Sequence, residues 1–155
     1  MKDLTQLSYS SLKAFMKSPA HFIAYKNNVF TESSSMRLGT AVHSALLEPE
    51  KFKSIYDVTD LRKNTKAYKE MVAINPDKIY LNNSDWRSIQ EIKRRFSQNK
   101  EAVDLLFLCS DREQEVKGNI NGIPFRGFVD AMSGNGSVIV DIKTTQDASA
   151  EGFGK

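Results

Sequence analysis

Two aspartates and a lysine in the last third of the chain have the types and spacing of a hydrolytic site. Asp141 follows Asp130 by eleven positions, and Lys143 lies two positions after Asp141. Carboxylate oxygens are the ligands that Mg²⁺ prefers. An ammonium group beside them can orient a water molecule or contact a phosphate. The three residues therefore suit metal-assisted hydrolysis of a phosphodiester.

The segment that ends at Lys143 is predicted to be a β-strand. At the strand period of two residues, Ile139, Asp141 and Lys143 share one face, and Ile142 points to the other. Residues 138–140 are apolar without polar alternation. This pattern predicts a buried or half-buried Asp141 that needs a partner or a metal ion. The alternative is a solvated strand face, which is the commonest fate of charged residues on strands.

Two turn signals predict a three-stranded antiparallel meander around the acids. Asn121 and Gly122 form the dipeptide of a tight primed hairpin turn, and residues 133–136 form a second turn cluster, Ser-Gly-Asn-Gly. The strands are expected at about 112–120, at 123–132 and from 138 onward. This arrangement places Asp130 and Asp141 on neighbouring strands.

Residues 1–50 are predicted to be mostly helical. Ser8 or Ser10 can cap a first helix, and Ser18 can cap a second helix that has proline at its first position. A third helix is expected at about 36–47, with its apolar residues at helical spacing. Those apolar residues are Leu38, Val42, Ala45 and Leu46.

The middle of the chain gives weaker signals. Residues 51–80 look irregular, apart from a short strand at 79–81. Ser84 is predicted to cap a further helix, and a shorter helix is expected at about 100–108. The predicted fold class is α+β, with N-terminal helices packed on a central, mostly antiparallel β-meander.

Composition is typical of a soluble domain. The 155 residues are 40% hydrophobic and 26% charged, which predicts a single domain over 1–155. The net charge of +3 permits a polyanionic partner without requiring one. The lone Cys109 lies in an apolar run, which predicts a buried thiol and excludes a cysteine-rich metal site. Without a signal peptide or an apolar stretch of about 20 residues, a cytoplasmic protein is expected.

Three blocks of residues give the chain a resemblance to the PD-(D/E)XK nuclease superfamily, specifically its phage and prophage exonuclease VIII (RecE-type) branch. The blocks occur in the order found in that family and span nearly the whole chain. They lie at 10–22, at 37–52 and at 125–130 with 141–145. The resemblance implies a restriction-endonuclease-like core.

The resemblance also implies roles for particular residues. Metal ligands would be His43, Asp130, Asp141 and the main-chain carbonyl of Ile142. Lys143 would lie beside the attacking water, and Glu115 is a weaker candidate at the site. The expected cofactor is Mg²⁺, with Mn²⁺ as an alternative because imidazole is a softer ligand.

Each of these residues also has an ordinary structural interpretation. A histidine on an apolar helix is more often a hydrogen-bonded core residue than a ligand, and this applies to His43. Asp130 taken alone fits a surface acid beside a turn, and Glu115 fits an exposed strand residue.

Several basic residues could contact DNA phosphates. Arg37 is the best placed, since it lies just before the histidine on its helix, and Arg62, Lys63 and Lys66 form a basic stretch. The alternative is ordinary surface charge.

By resemblance, the chain is expected to be a Mg²⁺-dependent 5′-to-3′ exonuclease that digests double-stranded DNA ends. It would supply single strands to a phage annealing protein, and the complete protein would be a homo-oligomer. One alternative is a non-catalytic DNA-binding or assembly module that retains the nuclease scaffold. Another is a RecB-like or CRISPR-adaptation nuclease, although these usually carry iron–sulfur cysteines.

The relatives continue past the Asp-x-Lys segment into a helix with a Gln-x-x-x-Tyr motif. This chain ends at Lys155, so an incomplete domain is expected, with residues 148–155 leading toward that helix.

Overall fold

A computed structural model describes residues 6–27, 33–145 and 147–153. It combines helices with a small antiparallel sheet, in agreement with the predicted α+β class. In chain order the elements are α1 (Tyr9–Lys17), α2 (Pro19–Lys26), α3 (Ser34–Leu47), α4 (Pro49–Ile55), β1 (Tyr56–Val58), α5 (Lys66–Ile74), β2 (Ile79–Leu81), α6 (Asn83–Gln98), α7 (Lys100–Leu108), β3 (Asp111–Ile120), β4 (Ile123–Met132), β5 (Ile139–Val140) and α8 (Ala150–Phe153).

The chain divides into two compact units. The first, here called the sheet unit, comprises residues 1–33 and 108–140. The second, the helical unit, comprises residues 34–107 and 141–155.

Local capping explains where the two helices of the sheet unit begin. The Ser8 hydroxyl accepts a hydrogen bond from the Ser11 N–H at 3.3 Å, and Ser11 bonds back to the Ser8 backbone in a capping box. Ser18 caps α2 by accepting the His21 N–H at 3.2 Å, with Pro19 at the first helical position. Ser8 is one of the two caps that the sequence predicted for α1, and the predicted start of α2 is confirmed.

The sheet of this unit has the strand order β3-β4-β5, and both pairs are antiparallel. Asn121 and Gly122 join β3 to β4 with φ of 53° and 81°, so both turn residues are left-handed, as a primed hairpin turn requires. At the second turn the Gly136 N–H donates to the Ser133 carbonyl at 2.8 Å. The bounds of β4 are those predicted.

The third strand is shorter than predicted. β5 pairs only through Val140 with Ala131 and Ile139 with Met132. Asp141 therefore lies just beyond the strand instead of within it.

The core of the helical unit surrounds Phe52. This side chain is 2% exposed and stacks with Tyr56 and Trp86, whose ring centroids are 4.8 and 5.8 Å away. The other buried members of the cluster are Ala41, Val42, Ala45, Leu81 and Ile89. Leu38 and Leu46 of α3 pack against it, so the predicted apolar face of this helix is confirmed.

Residues 51–80 are more regular than the sequence predicted. α4 begins at Pro49, directly after α3. Thr65, in the basic stretch, caps α5 by accepting the Tyr68 N–H at 3.2 Å. β1 and β2 pair in parallel, with Tyr56 opposite Ile79. Neither β1 nor the two helices were predicted, because short elements give little periodicity.

Two boundaries also differ from the prediction. Asn82, not Ser84, caps α6, since its side-chain oxygen accepts the Asp85 N–H at 2.8 Å. α3 begins at Ser34, two residues before the predicted start. None of the helices in the described ranges combines the length and hydropathy that a membrane span requires.

Candidate metal-binding site

Two carboxylates oppose each other across the β3–β4 ladder. Arg112 pairs with Ala131 and Gln114 pairs with Val129, so Glu113 and Asp130 lie between these two pairs. One carboxylate oxygen of Glu113 and one of Asp130 lie within 4.8 Å of each other. Both residues are partly buried. This distance is short enough for two carboxylates to ligate one cation.

Glu113 has an unusual backbone. Its φ is 48°, in the left-handed region that non-glycine residues rarely adopt. The register pairs on both sides are formed, but the Glu113–Asp130 pair is not among them. Backbone strain of this kind is often found at functional sites, where the surrounding structure holds it in place.

The sequence analysis did not select Glu113, although a signal for it exists. The Asn121–Gly122 turn sets Ile120 opposite Ile123. Counting back along both strands from this pair places Glu113 opposite Asp130.

Glu115, the predicted weaker candidate, lies beside basic side chains. Its carboxylate is 3.0 Å from Lys117 Nζ and 3.9 Å from Arg126 Nη1. These ion pairs give Glu115 a local role in the sheet. Its role as a ligand stays a prediction.

Asp141 and Lys143 form an ion pair in the helical unit. Lys143 Nζ donates to Asp141 Oδ1 at 2.6 Å, and each side chain is 58% exposed. The predicted burial of Asp141 is wrong, because β5 ends at Val140 and the apolar run does not continue into a buried strand. Ile142, whose carbonyl was the predicted ligand, is partly buried.

The helix that carries His43 closely approaches the segment that carries this ion pair. A Cβ atom added to Gly39 would lie 3.1 Å from Thr144 Oγ1. Gly39 and His43 are four residues apart on α3 and therefore lie on the same side of the helix. The structure thus brings together, within the helical unit, two of the blocks on which the resemblance rests.

The predicted phosphate contacts are all exposed. Arg37 lies on α3, and Arg62 and Lys63 lie in the turn before α5. Lys66, the first residue of α5, pairs with Glu70 at 3.5 Å. All four cations belong to the helical unit.

The comparisons with known proteins point to one family. A family profile described as a PDDEXK-like domain of unknown function (DUF3799) matches residues 8–155. Comparison with curated proteins and with solved structures gave no match. The PDDEXK-like fold is a nuclease-type fold, and nucleases of this kind generally use divalent metal ions. With nearly its whole length matched, the chain belongs to this PDDEXK-like family.

Proposed function

We propose that this protein is a metal-dependent deoxyribonuclease, specifically a RecE-type 5′-to-3′ exonuclease acting on double-stranded DNA ends. The observation that carries the proposal is the family match, which spans His43, Asp130, Asp141 and Lys143 together. These residue types and their order are those of a metal-assisted phosphodiesterase.

The β4–β5 register supports a shared role for the two aspartates. Ala131 pairs with Val140, and these residues are the direct neighbours of Asp130 and Asp141 in the sequence. Each aspartate therefore directly adjoins the last residue pair of the β4–β5 ladder.

The donor set fits a hard divalent cation. Asp130 and Glu113 already bring carboxylate oxygens within 4.8 Å of each other. Asp141, the Ile142 carbonyl and His43 would complete the ligand set, with the imidazole favouring Mn²⁺ as an alternative to Mg²⁺. The bound ion would neutralise charge on the scissile phosphate and lower the pKa of a water molecule.

Lys143 is the residue that would act on the reacting groups. An ammonium group has three N–H donors, and the ion pair with Asp141 uses one of them. The exposure of the side chain gives a water molecule or a phosphate oxygen access to the others. In the proposed reaction Lys143 orients the attacking water and donates to the phosphate, while Asp141 holds the ammonium in position.

The exposed cations of the helical unit would hold the DNA backbone. Arg37, Arg62 and Lys63 would contact phosphates and fix the register of the duplex without reading its sequence. Lys66 would contribute less, since it pairs with Glu70. Other proposed partners are a single-strand annealing protein and further copies of this chain.

The test is digestion of a linear duplex labelled at either the 5′ or the 3′ end, with Mg²⁺, with Mn²⁺ or with a chelator. Asp141→Asn and Lys143→Met should each lower cleavage by about 100-fold or more, as expected when a charge-stabilising group is lost. Asp104→Asn is the matched control, because Asp104 forms a comparable exposed ion pair with Lys100 on α7. Its activity should equal that of the wild type.

Equal cleavage by all four proteins would rule out these site assignments. Binding of Mn²⁺ and DNA without cleavage would instead support a non-catalytic DNA-binding or assembly module.

A further inference from the structure

Gly39 is unusual in its position on α3. Glycine within a helix is less favourable than alanine because it loses more backbone freedom on folding. Here the missing side chain leaves space for Thr144, whose Oγ1 lies 3.1 Å from the place where a Cβ would be. A real Cβ at that distance would be tightly packed, and Thr144 would have to move by a few tenths of an ångström.

Packing on α3 gives the best account of where Thr144 lies. The side chain is exposed, and in the part of the chain that the structure describes its hydroxyl makes no hydrogen bond. Thr144 directly follows Lys143 in the sequence, so any displacement that involves the Thr144 backbone also moves the backbone of Lys143.

We propose that Gly39 is a positioning residue: its missing side chain lets the segment 141–145 lie against α3, which sets Asp141 and Lys143 relative to His43. The inference rests on the proposed function, since it concerns the geometry of the same site. Gly39 touches no reacting atom and acts only through Thr144.

The first test asks whether the two residues are as close as the structure shows, with no need for activity. In Gly39→Cys/Thr144→Cys, the sulfur at position 144 would take the place of Oγ1, close enough to the new Cβ for a disulfide to form. Mild oxidation should link the two positions, as identified by peptide mass spectrometry. The two single variants are controls for pairing with Cys109. Absence of the 39–144 link would overturn the inference.

The second test asks whether this packing controls the site. Gly39→Ala should lower kcat for duplex digestion by about tenfold or more, because small displacements of reacting groups are costly. It should weaken Mn²⁺ binding measured by calorimetry as well. Thr144→Ala removes the obstructing oxygen, so Gly39→Ala/Thr144→Ala should recover most of both losses. Gly118→Ala is the matched control, since a Cβ there would meet nothing within 4 Å.

The melting temperature of Gly39→Ala distinguishes a positioning role of Gly39 from a general structural role. Alanine favours the helix, so the melting temperature of Gly39→Ala should equal or exceed that of the wild type. A fall of several degrees that parallels the activity loss would show a structural role and overturn the inference. Wild-type activity and Mn²⁺ affinity in Gly39→Ala would overturn it while leaving the proposed function intact. A wild-type protein that neither binds metal nor cleaves DNA would overturn both, whatever the cross-link shows.

Discussion

Glu113 combines a positive φ with a carboxylate that opposes the carboxylate of Asp130. Two negative groups at this distance repel each other, and a cation bound between them would offset that repulsion. A left-handed glutamate within a strand also costs free energy. Both costs would be offset if Glu113 and Asp130 ligated one cation.

Exchange of each β3 glutamate for glutamine tests this explanation. Glu113→Gln should weaken Mn²⁺ binding by about tenfold or more, because a charged ligand is replaced by a neutral one. Glu115→Gln is the matched control on the same strand. It breaks the ion pairs to Lys117 and Arg126 and should leave metal affinity within a factor of about two, because the Glu115 carboxylate is paired with these two cations instead of with Asp130. Calorimetric titration with Mn²⁺ compares the two variants.

The opposite ranking would show that Glu115 is the ligand. The sequence analysis named Glu115 only as a weaker candidate, because it lies on the strand before Asp130. Choosing between two glutamates on one strand requires the register, and the register depends on the turn conformation at Asn121 and Gly122.

For the start of α6, the cap predicted from the sequence and the cap found in the structure are two different residues. Asn82 accepts the Asp85 N–H at 2.8 Å, whereas Ser84 lies inside α6 and is exposed. Asn82→Ala should therefore lower the free energy of unfolding by about 1 kcal/mol. Ser84→Ala should leave it unchanged or raise it slightly, since alanine has the higher helix propensity. Urea denaturation of both variants gives the comparison, and a larger loss for Ser84→Ala would show that the cap lies there.

The stability of the fold is expected to depend on pH through the charged cluster on α6. Arg94 and Arg95 donate hydrogen bonds to Glu91, and these bonds lower the pKa of Glu91 from 4.5 to about 2. A lowered carboxyl pKa stabilises the fold above the ordinary pKa, and this contribution is lost as the pH falls through the folded-state value.

The difference in melting temperature between wild type and Glu91→Gln should be constant near neutral pH and should shrink between pH 4.5 and about 2. It should be small and should decrease with added salt, because the cluster is exposed. A difference in melting temperature that grows on acidification would contradict a lowered pKa for Glu91.

The sequence predictions succeeded for elements whose bounds are set by a few neighbouring residues. The β4 bounds were predicted correctly because a tight turn precedes the strand and the chain turns again just after it. Ser8 was one of two predicted caps for α1, and the start of α2 was predicted, because serine caps act over three residues. The parallel pairing of β1 with β2 was not predicted, since it joins short segments more than twenty residues apart in the sequence and no local pattern reports such a contact.

At the candidate site, too, the sequence predicted only what local patterns determine. Residue types and order identified the acids and the lysine as candidates. The exposure of Asp141 and the approach of Thr144 to Gly39 depend on where β5 ends and on how the chain continues past it. Neither property follows from strand periodicity.

At the scale of the whole molecule, apolar burial is distributed unevenly between the two units. The core cluster of the described residues, from Ala41 to Ile89, lies entirely in the helical unit. Among the residues of the sheet unit that the structure describes, the strongly buried ones apart from Cys109 and Ala131 are polar or charged, namely Ser11, Lys26 and Ser133. The helical unit therefore has the larger hydrophobic contribution to its stability.

Two phenylalanine substitutions test this distribution. Phe52→Ala removes a ring that is 2% exposed and stacks with Tyr56 and Trp86, so it should lower the free energy of unfolding by about 3–5 kcal/mol. Phe128→Ala on β4 removes the same kind of side chain from a position that is 62% exposed. This substitution should change the free energy of unfolding by about 0.5 kcal/mol or less. Urea denaturation followed by circular dichroism and by amide exchange of each unit measures both changes. Because Phe52 lies in the core of the helical unit, the loss of protection in Phe52→Ala should be concentrated in α3, α4 and α6. Comparable losses in the two variants would show that the sheet unit buries more apolar surface than this structure assigns to it.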